Sequence, residues 1–233
     1  MIGMVSGARA EVNDGAGESI LQVVTSLFPR GVAVAAGSVM RLQEPLHPDE
    51  RRAIAGAAPR RRRTFVAGRT CARRALARLD VAQVAIPRAD DGSPIWPAGV
   101  VGSISHTDDD CAAVAGSTDA WTALGLDIED AGDLPPELWQ TVLTEEDEAW
   151  LGRRSREHRG RLATLLLSAK EAAYKCQHPS TRRLLAFRDV AVHVDLDSGS
   201  FAATAVASGA AILGRFGWSG GRVVTGARVP RPC

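Results

Sequence analysis

Thr122-Ala123-Leu124-Gly125-Leu126-Asp127-Ile128-Glu129 is the stretch on which the reading of this chain turns. Successive side chains of an extended strand point to opposite faces, so Leu124, Leu126 and Ile128 take one face and Gly125, Asp127 and Glu129 the other. Two carboxylates on one face stand about 6.5–7 Å apart at their backbones, and their side chains can close that gap. Without a cation the converging charges repel, and one group is pushed towards its protonated form. A hard divalent cation such as magnesium removes the conflict, commonly taking one or two carboxylates plus substrate phosphates. Alone, an Asp-x-Glu pair more often marks the wet face of an edge strand. The rest of the chain has to supply the context.

Downstream, Arg161–Cys176 reads as a long helix. Leu162, Leu165, Leu166, Ala169 and Ala173 recur at helical spacing and form an apolar stripe. Glu171 and Lys175, at i and i+4, share a face. They could be no more than a helix-stabilising ion pair, worth roughly 0.2–0.5 kcal/mol. Lysine usage argues for more: of 28 Lys plus Arg residues only Lys170 and Lys175 are lysine. Two ammonium groups in so arginine-rich a chain suggest work that a guanidinium does poorly. Glu171 is then a candidate oxygen ligand or general base, and Lys175 a phosphate contact.

Upstream, Val100–His106 and Cys111–Gly116 read as a hairpin joined by the polar turn Thr107–Asp110. His106 ends the first strand, placed to donate to phosphate when protonated. Before the hairpin comes the turn-rich loop 87–94, and before that a helix over Arg63–Leu79. Arg60–Arg63, Arg69, Arg73, Arg74 and Arg78 make that region basic, a local field suited to a small polyanion or simply a solvated face. An amphipathic helix over Glu18–Phe28, a strand at Val32–Ala36 and a short helix after His47-Pro48 precede it. Beyond Thr144, a helix start by its cap and acidic first turn, the chain ends in strands near Asp189–Asp195, Phe201–Val206 and Arg222–Arg228. The order of short helix, charged long helix and strands occurs twice, which suggests two like halves joined near residues 116–120.

The bulk properties exclude several classes. A formal net charge of +1 gives no whole-molecule attraction to nucleic acid or anionic membrane. No apolar run approaches the roughly 20 residues that span a bilayer. Residues 1–15 lack the features of a secretory signal and read as a frayed tail. Cys71, Cys111, Cys176 and Cys233 form no C-x-x-C pair, so neither a zinc site nor a disulfide framework is expected, and a reduced cytoplasmic setting is. A metal-dependent nuclease and a non-catalytic nucleotide-binding module remain competing readings, the former disfavoured by the neutral charge.

Three blocks taken together resemble the 4′-phosphopantetheinyl transferases, specifically the long monomeric type, like enterobactin synthetase component D, that serves siderophore, polyketide and nonribosomal peptide synthesis. They are Trp96-Pro97 through Val101-Gly102-Ser103-Ile104-Ser105-His106, then Gly125 to Glu129, then Ser168-Ala169-Lys170-Glu171-Ala172-Ala173-Tyr174-Lys175. The Arg61–Arg73 segment is similar to that family's coenzyme-A-binding helix. The resemblance, over residues 46 to 195, implies an α+β fold of two pseudo-symmetric subdomains, 1–118 and 119–233, with the site in the cleft between them. It implies magnesium-dependent (or manganese-dependent) transfer of phosphopantetheine from coenzyme A to a serine of an apo acyl or peptidyl carrier protein, releasing 3′,5′-ADP, by a cytoplasmic monomer that engages neither nucleic acid nor membrane. Asp127, Glu129 and Glu171 would hold the metal, Glu171 also serving as base, and Lys175 would bind the pyrophosphate. Arg61, Arg69 and His106 would hold the phosphates of coenzyme A, with Gly92, Ser93, Pro94 and Ser105 packing on its nucleotide end. This chain lacks the lysine that some relatives carry in the Gly92 loop, and has Leu167 where others have an aromatic residue.

Overall fold

A computed structural model describes residues 18–205 and 211–232. Residues 1–17, 206–210 and Cys233 lie outside it, and with them the expectations for the N-terminal tail, the end of one strand at Val206 and the fourth cysteine. Two antiparallel sheets organise the described chain. The first is built from β1 (Ala33–Ser38), β2 (Val100–His106) and β3 (Asp110–Ser117) in the order β1-β3-β2. The second runs β4-β8-β7-β6-β5, from β4 (Trp121–Asp130), β5 (Val190–Asp195), β6 (Ser200–Ala205), β7 (Ala211–Ser219) and β8 (Arg222–Pro230). Each sheet carries one long helix. The fold is α+β, in two sheet-containing subdomains.

The helices are longer than periodicity predicts. The arginine helix, α3, spans Pro59–Ala77, so it starts four residues before the expected Arg63 and takes Arg60–Arg62 into its first turn. Pro59 starts it, where a missing N–H leaves no hydrogen bond unmade. Its apolar residues Ala67, Cys71, Ala72, Ala75 and Leu76 are buried with the first sheet. The lysine-bearing helix, α6, spans Arg156–Thr181 and ends at Arg182 in a left-handed conformation, φ 54°. Leu162, Leu165, Leu166, Ala169 and Ala173 are all buried against the second sheet, as the stripe requires. A short helix α1 (Ile20–Leu27) is N-capped by Ser19 and packs on strands of both sheets, while α2 (Pro48–Arg52), α4 (Pro136–Val142) and α5 (Glu145–Gly152) precede the long helices.

The reading of the terminal strands omitted β7, because Gly214 and Gly217 break its apolar alternation. Both glycines are seats for other side chains. A Cβ on Gly214 would lie 2.1 Å from the Phe201 ring, and one on Gly217 would lie 2.9 Å from Val23. The short helix α4 also went unread.

The sheets meet along β2 and β4 without pairing backbone to backbone. Instead the Ser103 hydroxyl accepts from the Leu126 N–H at 3.0 Å, and the Ser105 hydroxyl accepts from the Ile128 N–H at 3.2 Å. Leu124, Leu126 and Ile128 are buried with Val23, Val34 and Val114, a core shared by both halves. No helix among the described residues is long and apolar enough to cross a membrane.

Candidate active site

The opposite face of β4 lies on α6. A Cβ on Gly125 would stand 2.0 Å from the Ala172 carbonyl oxygen, so strand and helix approach more closely than any other residue permits. That approach carries Lys175 of α6 to Asp127, two residues further along β4. Lys175 Nζ donates to Asp127 Oδ1 at 2.6 Å and to Ser105 Oγ at 3.3 Å. Ser105 donates to the same Oδ1 at 3.1 Å, and Ser168 of α6 donates to Oδ2 at 2.8 Å. Asp127 is 3% exposed and fully bonded. Three donors fix the orientation of this buried carboxylate.

Burial alone would lower the pKa of Lys175, but Asp127, then Glu171 and Glu129, outweigh it and raise it. Lys175 is therefore a fixed cation. Glu129, half-buried, is pushed up to about 7, first by burial and then by Asp127, with Glu171 adding to the effect and Lys175 opposing it. Glu171 is raised for the same leading reason. Asp127 is in contact with the Lys175 ammonium, and Glu171 and Glu129 lie within its electrostatic reach. Among the described residues, however, no three His, Cys, Asp or Glu side chains are gathered as a ready ligand set. These carboxylates suit a hard cation that completes its shell with phosphate oxygens and water rather than a closed cage of protein ligands.

Among the described residues, three cavities border this centre. One of about 350 Å3 is lined by Arg60, Arg61, Thr64, His106, Glu129 and Asp130. Another, of about 480 Å3, brings Gly92, Ser93 and Pro94 to Trp96, Tyr174 and Lys175. The third, about 80 Å3, has Glu171 in its wall with Lys170, Tyr174 and Phe187.

The structure separates basic side chains that the sequence leaves alike. Lys170 does not face the centre: it is buried, 2.6 Å from Asp147, and donates to the carbonyls of Val142 and Phe187. Of the two lysines, Lys175 alone stands at the centre. The basic face of α3 is also smaller than its composition suggests. Arg73 is buried on Glu50 at 2.8 Å, and Arg74 pairs with Glu44. Arg69 is buried against the Phe65 ring and lines none of the three cavities. Its pKa is lowered to about 10, by burial and then, against the pull of Glu50, by Arg61, Arg73 and Arg88, and its Nε has no partner. His106 is held below its ordinary value by burial and then by Arg61. Ser105 acts through its hydroxyl, as a joint between Asp127, Lys175 and β4.

Ser168 was missed. Its place on α6, three residues before Glu171 and seven before Lys175, puts it on their face, which was the available signal.

A buried carboxylate–lysine centre in a seam between two α+β halves, flanked by an arginine–histidine cavity, defines a protein built to handle a phosphorylated small molecule. Comparison with known proteins narrows that class. A family model described as the 4′-phosphopantetheinyl transferase N-terminal domain matches residues 49–116, and the model of the 4′-phosphopantetheinyl transferase superfamily matches residues 123–217. The chain is 36% identical over 180 residues to 4′-phosphopantetheinyl transferase Npt of Nocardia iowensis, covering 76% of this chain and 79% of that one. It is 37% identical to 4′-phosphopantetheinyl transferase Svp of Streptomyces mobaraensis, over 73% and 70% of the two chains. Against PptT of Mycobacterium tuberculosis the identity is 34%, over 72% and 75%. The chain belongs to the 4′-phosphopantetheinyl transferase superfamily.

Proposed function

We propose that this protein transfers the 4′-phosphopantetheine group of coenzyme A to a serine hydroxyl of an apo carrier protein, releasing 3′,5′-ADP. The observation that carries the reading is the position of Lys175. It is tied to Asp127 at 2.6 Å and stands in the wall of the cavity that Gly92, Ser93 and Pro94 also line. On the other side of Asp127, Glu129 shares a cavity with Arg61 and His106.

Coenzyme A spans the seam in this reading. Arg61 and His106 take its 3′-phosphate, and the orphaned Nε of buried Arg69 suits a contact with the same anionic end. The Gly92–Pro94 loop and the Ser105 backbone pack on the nucleotide, and Lys175 takes the diphosphate. Asp127, Glu129 and Glu171 are the residues that would hold magnesium, or manganese, which when bound neutralises charge on the diphosphate. Glu171 accepts the serine proton, and its raised pKa suits a base working near neutrality. The serine oxygen bonds to the phosphorus bearing the pantetheine arm, the bond from that phosphorus to the bridging oxygen breaks, and 3′,5′-ADP leaves with the electron pair, its charge met by Lys175. Division of the chain at residues 118 and 119, a cytoplasmic monomeric state, and service to siderophore, polyketide or nonribosomal peptide carriers belong to the same reading.

The test is a mass measurement. Incubated with coenzyme A, magnesium and apo carrier proteins, the enzyme adds one phosphopantetheine to the carrier. An unmodified carrier of every type, with nucleic acid cut instead, would point to the nuclease. Coenzyme A bound without transfer would point to a binding module.

A further inference from the structure

The turn between β2 and β3 carries Asp108, Asp109 and Asp110 in succession. It follows directly on His106 and borders the cavity lined by Arg61 and Glu129. Three carboxylates beside a pocket for a polyanion would repel it unless they were neutralised. Asp108 is met by Arg60. The other two are met from across the seam by a residue to which sequence reading gave no role, Arg222 at the start of β8. Its Nη2 stands 3.0 Å from Asp109, its Nε 3.1 Å from Asp110, and its Nη1 2.7 Å from Asp130. The Arg222 side chain is 16% exposed beneath Asp109, which is 81% exposed.

Asp130 follows Glu129 and lines the same cavity. One planar guanidinium therefore grips the His106-bearing turn of the first half and the Glu129-bearing strand end of the second. The fork geometry of arginine, with separate N–H groups aimed at separate carboxylates, is what an ammonium could not reproduce.

We propose that Arg222 is a positioning residue for the reaction: it clasps the turn 107–110 to the end of β4 and so fixes His106 against Glu129 across the phosphate cavity. The proposal rests on the reading of that cavity as the seat of the 3′-phosphate of coenzyme A.

The experiment measures kcat and KM with coenzyme A and with dephospho-coenzyme A, which lacks the 3′-phosphate, at saturating carrier protein. It compares wild type, Arg222→Gln, and the double variant Asp109→Asn with Asp110→Asn. Wild type prefers coenzyme A. In both variants that preference shrinks by about tenfold or more, the worth of one hydrogen bond to a charged group. The loss falls on the KM for coenzyme A, while kcat/KM for the dephospho form holds. Retention of the wild-type preference overturns the clasp. An equal loss on both substrates, the mark of a merely structural role, overturns it as well. A wild type that does not distinguish the two substrates sinks the phosphate reading of the cavity first, and the clasp with it. Should Arg222→Gln not fold, the double variant, which leaves β8 intact, decides.

Discussion

Replacing Asp127 by Asn separates the chemistry of the centre from its architecture. The amide keeps the shape of the side chain, and its one oxygen can still accept from Ser105 and Lys175 while its NH2 turns to the Ser168 hydroxyl, but it removes the charge that balances Lys175 at 2.6 Å. Breaking a fully buried pair from one side costs about 3–5 kcal/mol. Lys175 is 28% exposed, and Glu129 and Glu171 remain to share its charge. The loss should therefore lie nearer the cost of a charge-assisted hydrogen bond, about 2 kcal/mol. For a chain of this size that lowers Tm by roughly 4–8 °C. Turnover should fall much further, by about a hundredfold or more, because a preorganised charge at the reacting phosphate is lost. Thermal unfolding and carrier mass shift, measured on the same preparation at 20 °C, give both quantities. A variant that melts early yet turns over within threefold of wild type would reduce Asp127 to a structural partner of Lys175, and the proposed centre would lose its middle.

The raised pKa of Glu129 gives a pH prediction with a definite sign. A carboxyl lifted from 4.5 to about 7 contributes stability that is present at low pH and lost as pH rises through 7, because the folded state disfavours the ionised form. A bound divalent cation reverses this, so the rise in Tm on adding magnesium should grow from pH 6 to pH 8; a rise independent of pH would remove Glu129 from the metal site. Gly125→Ala should cost more than the roughly 1–3 kcal/mol of ordinary overpacking, since its Cβ meets a helix carbonyl rather than a movable side chain; a soluble variant with unchanged Tm would show that β4 and α6 have room to part. Asp147→Asn should destabilise by about 3 kcal/mol through buried Lys170 while leaving kcat of the folded fraction intact; a specific loss of kcat would return Lys170 to the mechanism. Ser103→Ala and Ser105→Ala each leave a buried N–H without its acceptor, at about 1–3 kcal/mol. Only Ser105→Ala should also slow turnover, since Ser103 touches neither Asp127 nor Lys175; equal turnover in the two variants would confine Ser105 to the fold.

The sequence carried what local periodicity can carry. The two-residue alternation of Leu124, Leu126 and Ile128 placed Asp127 and Glu129 on one face of β4. The stripe from Leu162 to Ala173 placed Glu171 and Lys175 on one face of α6. Gly125 was legible only as a small residue in a strand; that it admits the Ala172 carbonyl depends on where α6 lies, which is tertiary information. The same holds for the arginines of α3. Identical side chains at positions 61, 69, 73 and 74 have different fates because Glu50 and Glu44, distant in sequence, claim two of them. Lysine scarcity pointed to the right helix but overcounted, since an ammonium is also the cation that best fits a closed pocket among two carbonyls and Asp147. The pairing of Arg222 with three aspartates left no local trace at all, its partners lying more than a hundred residues away or across a strand register.

The seam itself explains why the centre sits where it does. Had β2 and β4 paired directly through their backbones, one continuous sheet would have closed the space between the halves. Serine hydroxyls at Ser103 and Ser105 satisfy the N–H groups of Leu126 and Ile128 instead, and they hold the strands a side chain's width apart. A hydroxyl can do one thing more than a backbone carbonyl, because it donates while it accepts. Ser105 spends its proton on Asp127 and receives from Ile128 and Lys175, so one oxygen joins the first sheet, the second sheet and α6. The gap that admits a ligand and the bonds that orient the carboxylate thus arise from the same substitution of side chain for backbone. Any force that spreads the halves must pull Ser105 from Asp127 and Lys175, which couples the width of the cleft to the bonds that orient the charges at its centre.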